Sequence, residues 1–311
     1  MDRVWLESLT ARGWPSPAVT IGNFDGVHRG HEALVRTAAE WARSEGGDTV
    51  VLTFDPHPVS VVDPSRAPAT LSTLDQKAEL LEALGVDRLV VTPFNEDLAR
   101  RPPEDFARLV LAGALQARKV VVGDNFRFGH DRAGDVTRLA DLGRTLGFEV
   151  EALAPIQHQG HPISSSRVRR VLLDGAVEEA QVLLGRPYFI DGRVVVGERR
   201  GRTLGFPTAN LDSDNETLPA LGVYAARCRV PSGQWEPAVV NVGNRPTFGG
   251  RPVSVEAHLL DFDGDLYGTQ VRLAFHARLR GEQRFSGPEA LVARIRQDVA
   301  EARDLFGREG V

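Results

Sequence analysis

Two histidines three residues apart, His28 and His31, end a run that begins as an apolar strand at Val19 and passes through Gly22-Asn23-Phe24-Asp25-Gly26. Glycine lets a backbone turn sharply and approach a ligand without side-chain clashes. A helix starting at these histidines would point its free N–H groups and positive dipole end into the loop, a ready place for phosphate. The two imidazoles add hydrogen-bond donors beside the same anion. A structural strand-to-helix turn would explain the glycines alone, yet packing has no use for two polar rings at a tight turn. The zinc pair of metalloproteases stands four apart on a helix with a Glu between; here the spacing is three, across Gly30. The pattern points to a nucleotide-triphosphate site.

Further chemistry-bearing residues follow at later strand ends. Asp55-Pro56-His57-Pro58 locks a histidine between prolines, either as a rigid turn or as a group held at the ligand edge. Gly123-Asp124-Asn125-Phe126-Arg127-Phe128-Gly129 places aromatics, an amide and an arginine together, which suits a planar heteroaromatic ligand. Ile163-Ser164-Ser165-Ser166-Arg167-Val168-Arg169-Arg170 opens a helix. Serine there is an ordinary N-cap. Arginines in the first two turns oppose the helix dipole, so a phosphate would offset them; a solvated basic face is the alternative.

The second half carries its own set. Gly197-Glu198-Arg199-Arg200-Gly201-Arg202-Thr203-Leu204-Gly205-Phe206 can wrap phosphates through backbone N–H groups and charge. Pro207-Thr208-Ala209-Asn210 offers hard oxygen ligands suited to magnesium with bound phosphate. Asn241 opens a second polar turn at a strand end. Strand alternation puts Glu256, His258 and Leu260 on one face and Val255, Ala257 and Leu259 on the other. Glu256 either faces solvent or removes a proton from a substrate hydroxyl.

The elements that must position these residues fall into two textures. Runs at 18–21, 49–54, 88–91, 119–122 and 148–153 read as buried strands. Between them lie helical stripes: Leu34, Ala38, Trp41, Ala42; Leu74, Ala78, Leu81, Leu84; Phe106, Leu109, Val110; and Leu139, Leu142, Leu146. Such alternation predicts a doubly wound parallel sheet, whose ligands gather at the carboxyl ends of the strands. After a helix at 177–184 the texture changes to strands at 188–196, 223–230, 237–242, 253–260 and 270–279, then a terminal helix from 289 to about 305. Closely spaced strands without helices suggest a small antiparallel barrel. The boundary is placed at about residue 185, giving domains 1–185 and 186–311.

With 311 residues the chain has room for two cores. A net charge of −5 argues against nonspecific nucleic-acid binding. Its one cysteine, Cys228, excludes an intrachain disulfide and a cysteine-rich zinc site. No apolar run approaches the ~20 residues needed to span a bilayer, and Met1–Glu7 lacks the pattern of a signal peptide. A cytoplasmic enzyme without membrane or nucleic-acid partners is expected.

In their order these motifs resemble the bifunctional bacterial riboflavin kinase/FMN adenylyltransferases, often called prokaryotic FAD synthetases. The likeness runs from about Ala18 to Leu305 and rests on GNFDGVHRGH, FDPHP, VGDNFRFG, ISSSRVR, GRTLGFPTAN, NVGNRPTF and EAHLLDF. It implies an α/β doubly wound parallel-sheet nucleotidyltransferase domain followed by a small antiparallel β-barrel with a C-terminal helix. In the barrel, riboflavin and ATP would give FMN. Thr208 and Asn210 would hold magnesium, Gly197, Arg202, Gly205, Phe206, Pro207 and Asn241 would bind the nucleotide, and Glu256 would accept the ribityl proton. In the sheet domain, FMN and a second ATP would give FAD and pyrophosphate. His28 and His31 would stabilise the transferring phosphate, with Gly22, Asn23, Phe24, Asp25 and Gly26 forming its loop. Ser164, Ser165, Ser166, Arg167 and Arg169 would surround the pyrophosphate, and His57, Asn125, Phe126 and Phe128 would belong to the flavin side. Ser166 stands where the family usually has threonine, keeping the hydroxyl. The resemblance leaves room for a monomer or weak homo-oligomer. Two rivals are an adenylyltransferase for a nicotinamide or pantetheine phosphate with an accessory barrel, and a noncatalytic flavin-binding protein. The Pro-Thr-Ala-Asn segment and Glu256 count against the first, and retention of both histidines against the second.

Overall fold

The computed structural model describes residues 1–9, 13–197, 205–244 and 253–308, which fall into two compact units, 1–165 and 166–311. In the first unit, strands β1 (Asp2–Trp5), β2 (Ala18–Ile21), β3 (Thr49–Asp55), β4 (Arg88–Pro93), β5 (Lys119–Gly123) and β6 (Glu149–Leu153) form a parallel sheet in the order β1-β4-β3-β2-β5-β6. A short hairpin, β7 (Gln157–His158) and β8 (His161–Pro162), follows. Helices α1 (Arg29–Ser44), α2 (Pro58–Val62), α3 (Leu74–Ala83) and α4 (Val136–Leu146) connect the strands. Val19, Ile21, Val50, Leu52, Val120 and Val122 face a core that includes Phe106, Leu111 and Leu139. Val51 meets Val35 and Leu81 on the opposite face, and Ala18 and Val121 meet Ala38 and Ala42 there. Burial on both faces is why these strands read as continuous apolar runs.

The sheet sets the place of the site. From β2 the chain builds outward through β3 to β4, then returns to lay β5 on the other side of β2. The strand order reverses between β2 and β5, and the crevice beyond their carboxyl ends is where ligands bind in such sheets. The loops after those two strands are the histidine loop and the segment from Asp124 to Phe128.

In the second unit, α5 (Ser165–Leu173) and α6 (Val177–Leu184) precede a closed antiparallel barrel. Its strands are β9 (Tyr188–Val195), β10 (Ala209–Asp212), β11 (Gly222–Arg229), β12 (Trp235–Asn244), β13 (Val253–Leu259) and β14 (Gln270–Arg280), ordered β10-β13-β12-β11-β14-β9. Tyr224 and Phe275 fill the interior edge to face, 5.5 Å apart, beside Val240, Val255 and Ala257. A small barrel filled by side chains leaves no lumen for a substrate. Helix α7 (Pro288–Arg308) covers part of the outer wall, where Val223, Ala225 and Val239 pack on Ala302 and Phe306.

Several expectations are refined. The units divide between Ser165 and Ser166, ahead of the boundary read at 185, because α5 and α6 are bound to the barrel. The Ala220 N–H donates to the Leu172 carbonyl at 2.9 Å, and Arg278 donates to the Asp174 carbonyl at 3.0 Å and the Glu178 carboxylate at 2.9 Å. Strand β1 went unread because it is short, carries Asp2 and Arg3, and lies on the sheet edge. Strand β10 went unread because its polar residues look like loop. The stripe Phe106, Leu109, Val110 assumes α-helical spacing, whereas Phe106–Ala114 is a π-helix that buries Phe106, Ala107, Val110 and Leu111 and leaves Leu109 exposed. Leu260 is buried against the α7 cluster rather than sharing the exposure of Glu256 and His258.

Candidate active sites

The loop between β2 and α1 is held in a conformation that few sequences adopt. Phe24, Gly26 and Val27 have φ of 48°, 76° and 40°. Positive φ at Phe24 and Val27 is unfavourable by about 1–3 kcal/mol each unless the surroundings enforce it. They do. Phe24 is fully buried, and the Asp25 carboxylate accepts the N–H groups of Leu71 at 2.8 Å and Ser72 at 3.2 Å. The Gly26 N–H donates to Ser72 Oγ at 3.1 Å, and Ser165 Oγ donates to the Asp25 carbonyl at 2.9 Å. A Cβ on Gly26 would lie 2.8 Å from Leu71 Cδ1, so position 26 requires glycine in both space and dihedral. Phe24, Asp25 and Gly26 therefore shape the loop, with the Phe24 and Asp25 side chains turned inward.

The histidines emerge where the loop becomes α1. His28 is its N-cap and accepts the His31 N–H on Nδ1 at 3.3 Å. In the neutral ring the proton then sits on Nε2. The two imidazoles stack at 3.7 Å with 14° between planes, and Gly30 leaves room for His28, whose ring would lie 3.1 Å from a Cβ there. Ser165 begins α5, which continues through Ser166, Arg167 and Arg169. Arg167 is buried and its guanidinium pairs with Glu179 of α6 at 2.9 Å, so part of the basic run has a structural use.

Beside the loop an open cleft of about 900 Å³ is lined by Asn23, Phe54, Asn125, Phe126, Phe128 and Arg127, among others. Phe126 and Phe128 stack at 5.6 Å, and Phe128, 7% exposed, also packs on Phe106, making it a core residue that forms one cleft wall. Asn125 is exposed at the edge. His57, expected on the flavin side, bonds to the loop: its Nε2 lies 3.0 Å from the Asn23 amide and its Nδ1 accepts the Val59 N–H at 3.2 Å. The neighbouring Pro58 and Val59 line the cleft.

In the second unit, strand register assembles the site. Asn210 of β10 pairs with Glu256 of β13, and Glu256 pairs with Asn241 of β12. Directly opposed residues place their side chains about 4.5–5.5 Å apart on one face. Three sequence-distant candidates thus form one row on the outer wall, not inside the barrel. A cavity of about 650 Å³ at this wall is lined by Thr208, Asn241, Glu256, His258, Arg280 and Glu282, together with residues of α7. A Cβ on Gly197 would fall 2.3 Å from Asn210 Nδ2, so glycine there leaves the amide its space. Gly205 takes φ of 87°. Arg202 and the rest of 198–204 lie outside the described residues, as do 245–252.

His258, Arg280 and Asp298 complete this wall. His258 Nδ1 lies 2.8 Å from the Pro207 carbonyl, and its ring meets Phe206 edge to face at 5.5 Å, fixing the approach to Thr208. Arg280 at the end of β14 grips Asp298 of α7 with three contacts of 2.9–3.1 Å, and Arg294 adds a fourth at 3.0 Å. Asp298 is 1% exposed. An aspartate on the apolar stripe 295, 299, 302 was the available signal.

An FAD synthetase family profile matches residues 12–167 and a riboflavin kinase profile residues 184–306. The chain is 39% identical over 289 residues to the bifunctional riboflavin kinase/FMN adenylyltransferase of Escherichia coli strain K12, covering 93% of this chain and 92% of that protein. It is 42% identical over 287 residues to the protein of that name from Pseudomonas fluorescens, covering 92% of each. A crystal structure called a macrolide-efflux protein, from Streptococcus pneumoniae, superposes with a TM-score of 0.86 at 31% identity, covering 96% of both chains. Among the described residues here, no helix is long and apolar enough to cross a membrane.

Proposed function

This chain belongs to the bifunctional riboflavin kinase/FMN adenylyltransferase family, and from that premise we propose which residues perform its two reactions. The riboflavin kinase domain transfers a phosphoryl group from ATP to riboflavin, and the FAD synthetase domain joins FMN to the adenylyl group of a second ATP, releasing pyrophosphate. The functional boundary is put at residue 185, at the start of the riboflavin kinase match over 184–306. The observation that carries the residue assignment is the cross-strand row Asn210–Glu256–Asn241, in which the carboxylate stands between two amides and, with Asn241, lines the cavity.

In the kinase reaction, Glu256 accepts the proton of the ribityl hydroxyl as it attacks the γ-phosphate. Thr208 and Asn210 would hold magnesium: a hydroxyl and an amide oxygen are hard donors that suit it, and Gly197 keeps the space at the Asn210 amide. When bound, the ion neutralises phosphate charge. Gly197, Arg202, Gly205, Phe206 and Pro207 cover the nucleotide, with Asn241 beside Glu256. Phosphoryl transfer depends mainly on positioning and charge, which these residues offer.

In adenylyl transfer, the FMN phosphate attacks the α-phosphorus and pyrophosphate leaves. His28, with its proton on Nε2, and His31 donate to the phosphate as charge develops. Gly22, Asn23, Phe24, Asp25 and Gly26 hold the loop. Ser164, Ser165, Ser166, Arg167 and Arg169 receive the pyrophosphate, with Glu179 orienting the Arg167 guanidinium. Asn125, Phe126 and Phe128 border the isoalloxazine, and His57 fixes Asn23. No covalent intermediate is needed. The enzyme works in the cytoplasm as a monomer or weak homo-oligomer.

Incubation with riboflavin, ATP and magnesium, followed by flavin chromatography, tests the metal assignment. FMN and then FAD are expected, and a chelator should stop FMN formation. FMN forming at an unchanged rate in the chelator would remove magnesium from Thr208 and Asn210.

A further inference from the structure

Beneath the histidine loop lies a charged group that neither reaction uses. Lys77 of α3 is only 8% exposed. Burying an ammonium costs several kcal/mol unless it is paired and hydrogen-bonded, so a lysine here rather than leucine asks for a return. Its root is rigid: a capping box between Thr73 and Gln76 fixes the first turn of α3 immediately before it. Its Nζ donates to Thr53 Oγ1 at 3.3 Å, and that hydroxyl donates onward to the Asn23 carbonyl at 3.1 Å. Thr53 is fully buried at the end of β3. The carboxylates of Asp25 and Asp55 act on the ammonium, holding its pKa up against the burial that pushes it below the usual lysine range.

We propose that Lys77 is a positioning residue for adenylyl transfer, fixing through Thr53 and Asp25 the strained backbone that presents His28 and His31 to the phosphates. The loop contains two non-glycine residues at positive φ, and such a conformation persists only when neighbours over-determine it. Leu71 and Ser72 hold one side of Asp25. Lys77 holds the other side of the loop, at Asn23, and supplies the counter-charge for a carboxylate that is 3% exposed. Lys77 is not among the residues lining the cleft, so its action passes through the loop. The proposal rests on the reading that this loop is the adenylyl-transfer site.

The test uses the full chain, whose riboflavin kinase activity serves as an internal control for active protein, while thermal unfolding of the sheet unit checks its folding. Lys77→Met keeps the length and removes the charge. It should lower kcat for FMN-to-FAD conversion by about tenfold to a hundredfold, the scale of a misplaced catalytic group, with KM for FMN and FMN formation from riboflavin unchanged. Lys77→Arg should recover part of the loss. Thr53→Val keeps the shape and breaks the relay, and should cost about fivefold, as for one hydrogen bond. The double variant should be no slower than Lys77→Met alone, because both act through one chain of bonds. An unchanged kcat in Lys77→Met, or losses that multiply in the double variant, would overturn the proposal. If Lys77→Met fails to fold, Thr53→Val decides, and an unchanged kcat there overturns it equally. His28→Ala separates the two levels: if it spares FAD formation the site reading itself fails, whereas if it abolishes FAD formation while Lys77→Met spares it, only the role of Lys77 falls.

Discussion

Replacing Gly197 with alanine separates positioning from stability in the kinase site. The added Cβ would lie 2.3 Å from Asn210 Nδ2, 2.4 Å from its Cγ and 2.6 Å from its Oδ1. Carbon and nitrogen in contact stand about 3.5 Å apart, so the amide must retreat by roughly 1 Å. Asn210 has two side-chain torsions, and an off-rotamer position costs about 0.5–1.5 kcal/mol. Alanine at a position without positive φ returns about 0.4–1 kcal/mol by restricting the unfolded chain. The net change in stability should fall within about 1 kcal/mol of zero. Function has no such offset, because a displacement of 1 Å in a positioned group costs on the order of a hundredfold in rate. Gly197→Ala should therefore unfold near the parent temperature, convert FMN to FAD normally, and form FMN about a hundredfold more slowly. Calorimetry and flavin chromatography on the same preparation measure both. A variant with full kinase activity would refute the claim that the Asn210 amide must stay in the row with Glu256. A variant that loses stability in step with activity would refute the separation.

Three further outcomes follow from named groups. Asp298→Ala should destabilise the barrel unit by about 3 kcal/mol, because it leaves the Arg280 and Arg294 guanidiniums without their shared buried partner; denaturant unfolding checks this. Burial pushes the Cys228 thiol up to about 12, so in the native protein it should resist a thiolate-specific reagent at about pH 8 and react once unfolded. Gly26→Ala should destabilise the sheet unit by about 1–3 kcal/mol, since it forces a side chain into positive φ against Leu71, and thermal unfolding of that unit reads it.

The sheet was legible because a parallel strand covered on both faces leaves an uninterrupted apolar run, and the histidine loop because few other purposes fit its residues. What sequence could not convey was contact. Asn210, Glu256 and Asn241 stand apart in the chain, and only the short strand β10, hidden among polar residues, brings them into one row. Periodicity did mark two buried charges. Lys77 falls on the stripe of Leu74, Ala78 and Leu81, and Asp298 on that of Ile295 and Ala302, but a charge on an apolar stripe reads as an edge position until its partner is seen. The flanking prolines mark His57 as a held group, but its contact with the Asn23 amide is visible only in the structure. The sequence shows the Arg167 charge but not its pairing with Glu179, which stands on the next helix.

The central claim is that two chemically separate sites share this chain, one at His28 and His31 and one at Glu256. Purified Glu256→Gln and His28→Ala chains, each given riboflavin, ATP and magnesium and then FMN and ATP, test it directly. Glu256→Gln should leave riboflavin unconverted yet turn FMN into FAD, while His28→Ala should stop at FMN; mixing the two should restore FAD from riboflavin. Loss of both activities in either folded variant, or a mixture that yields no FAD, would contradict the account.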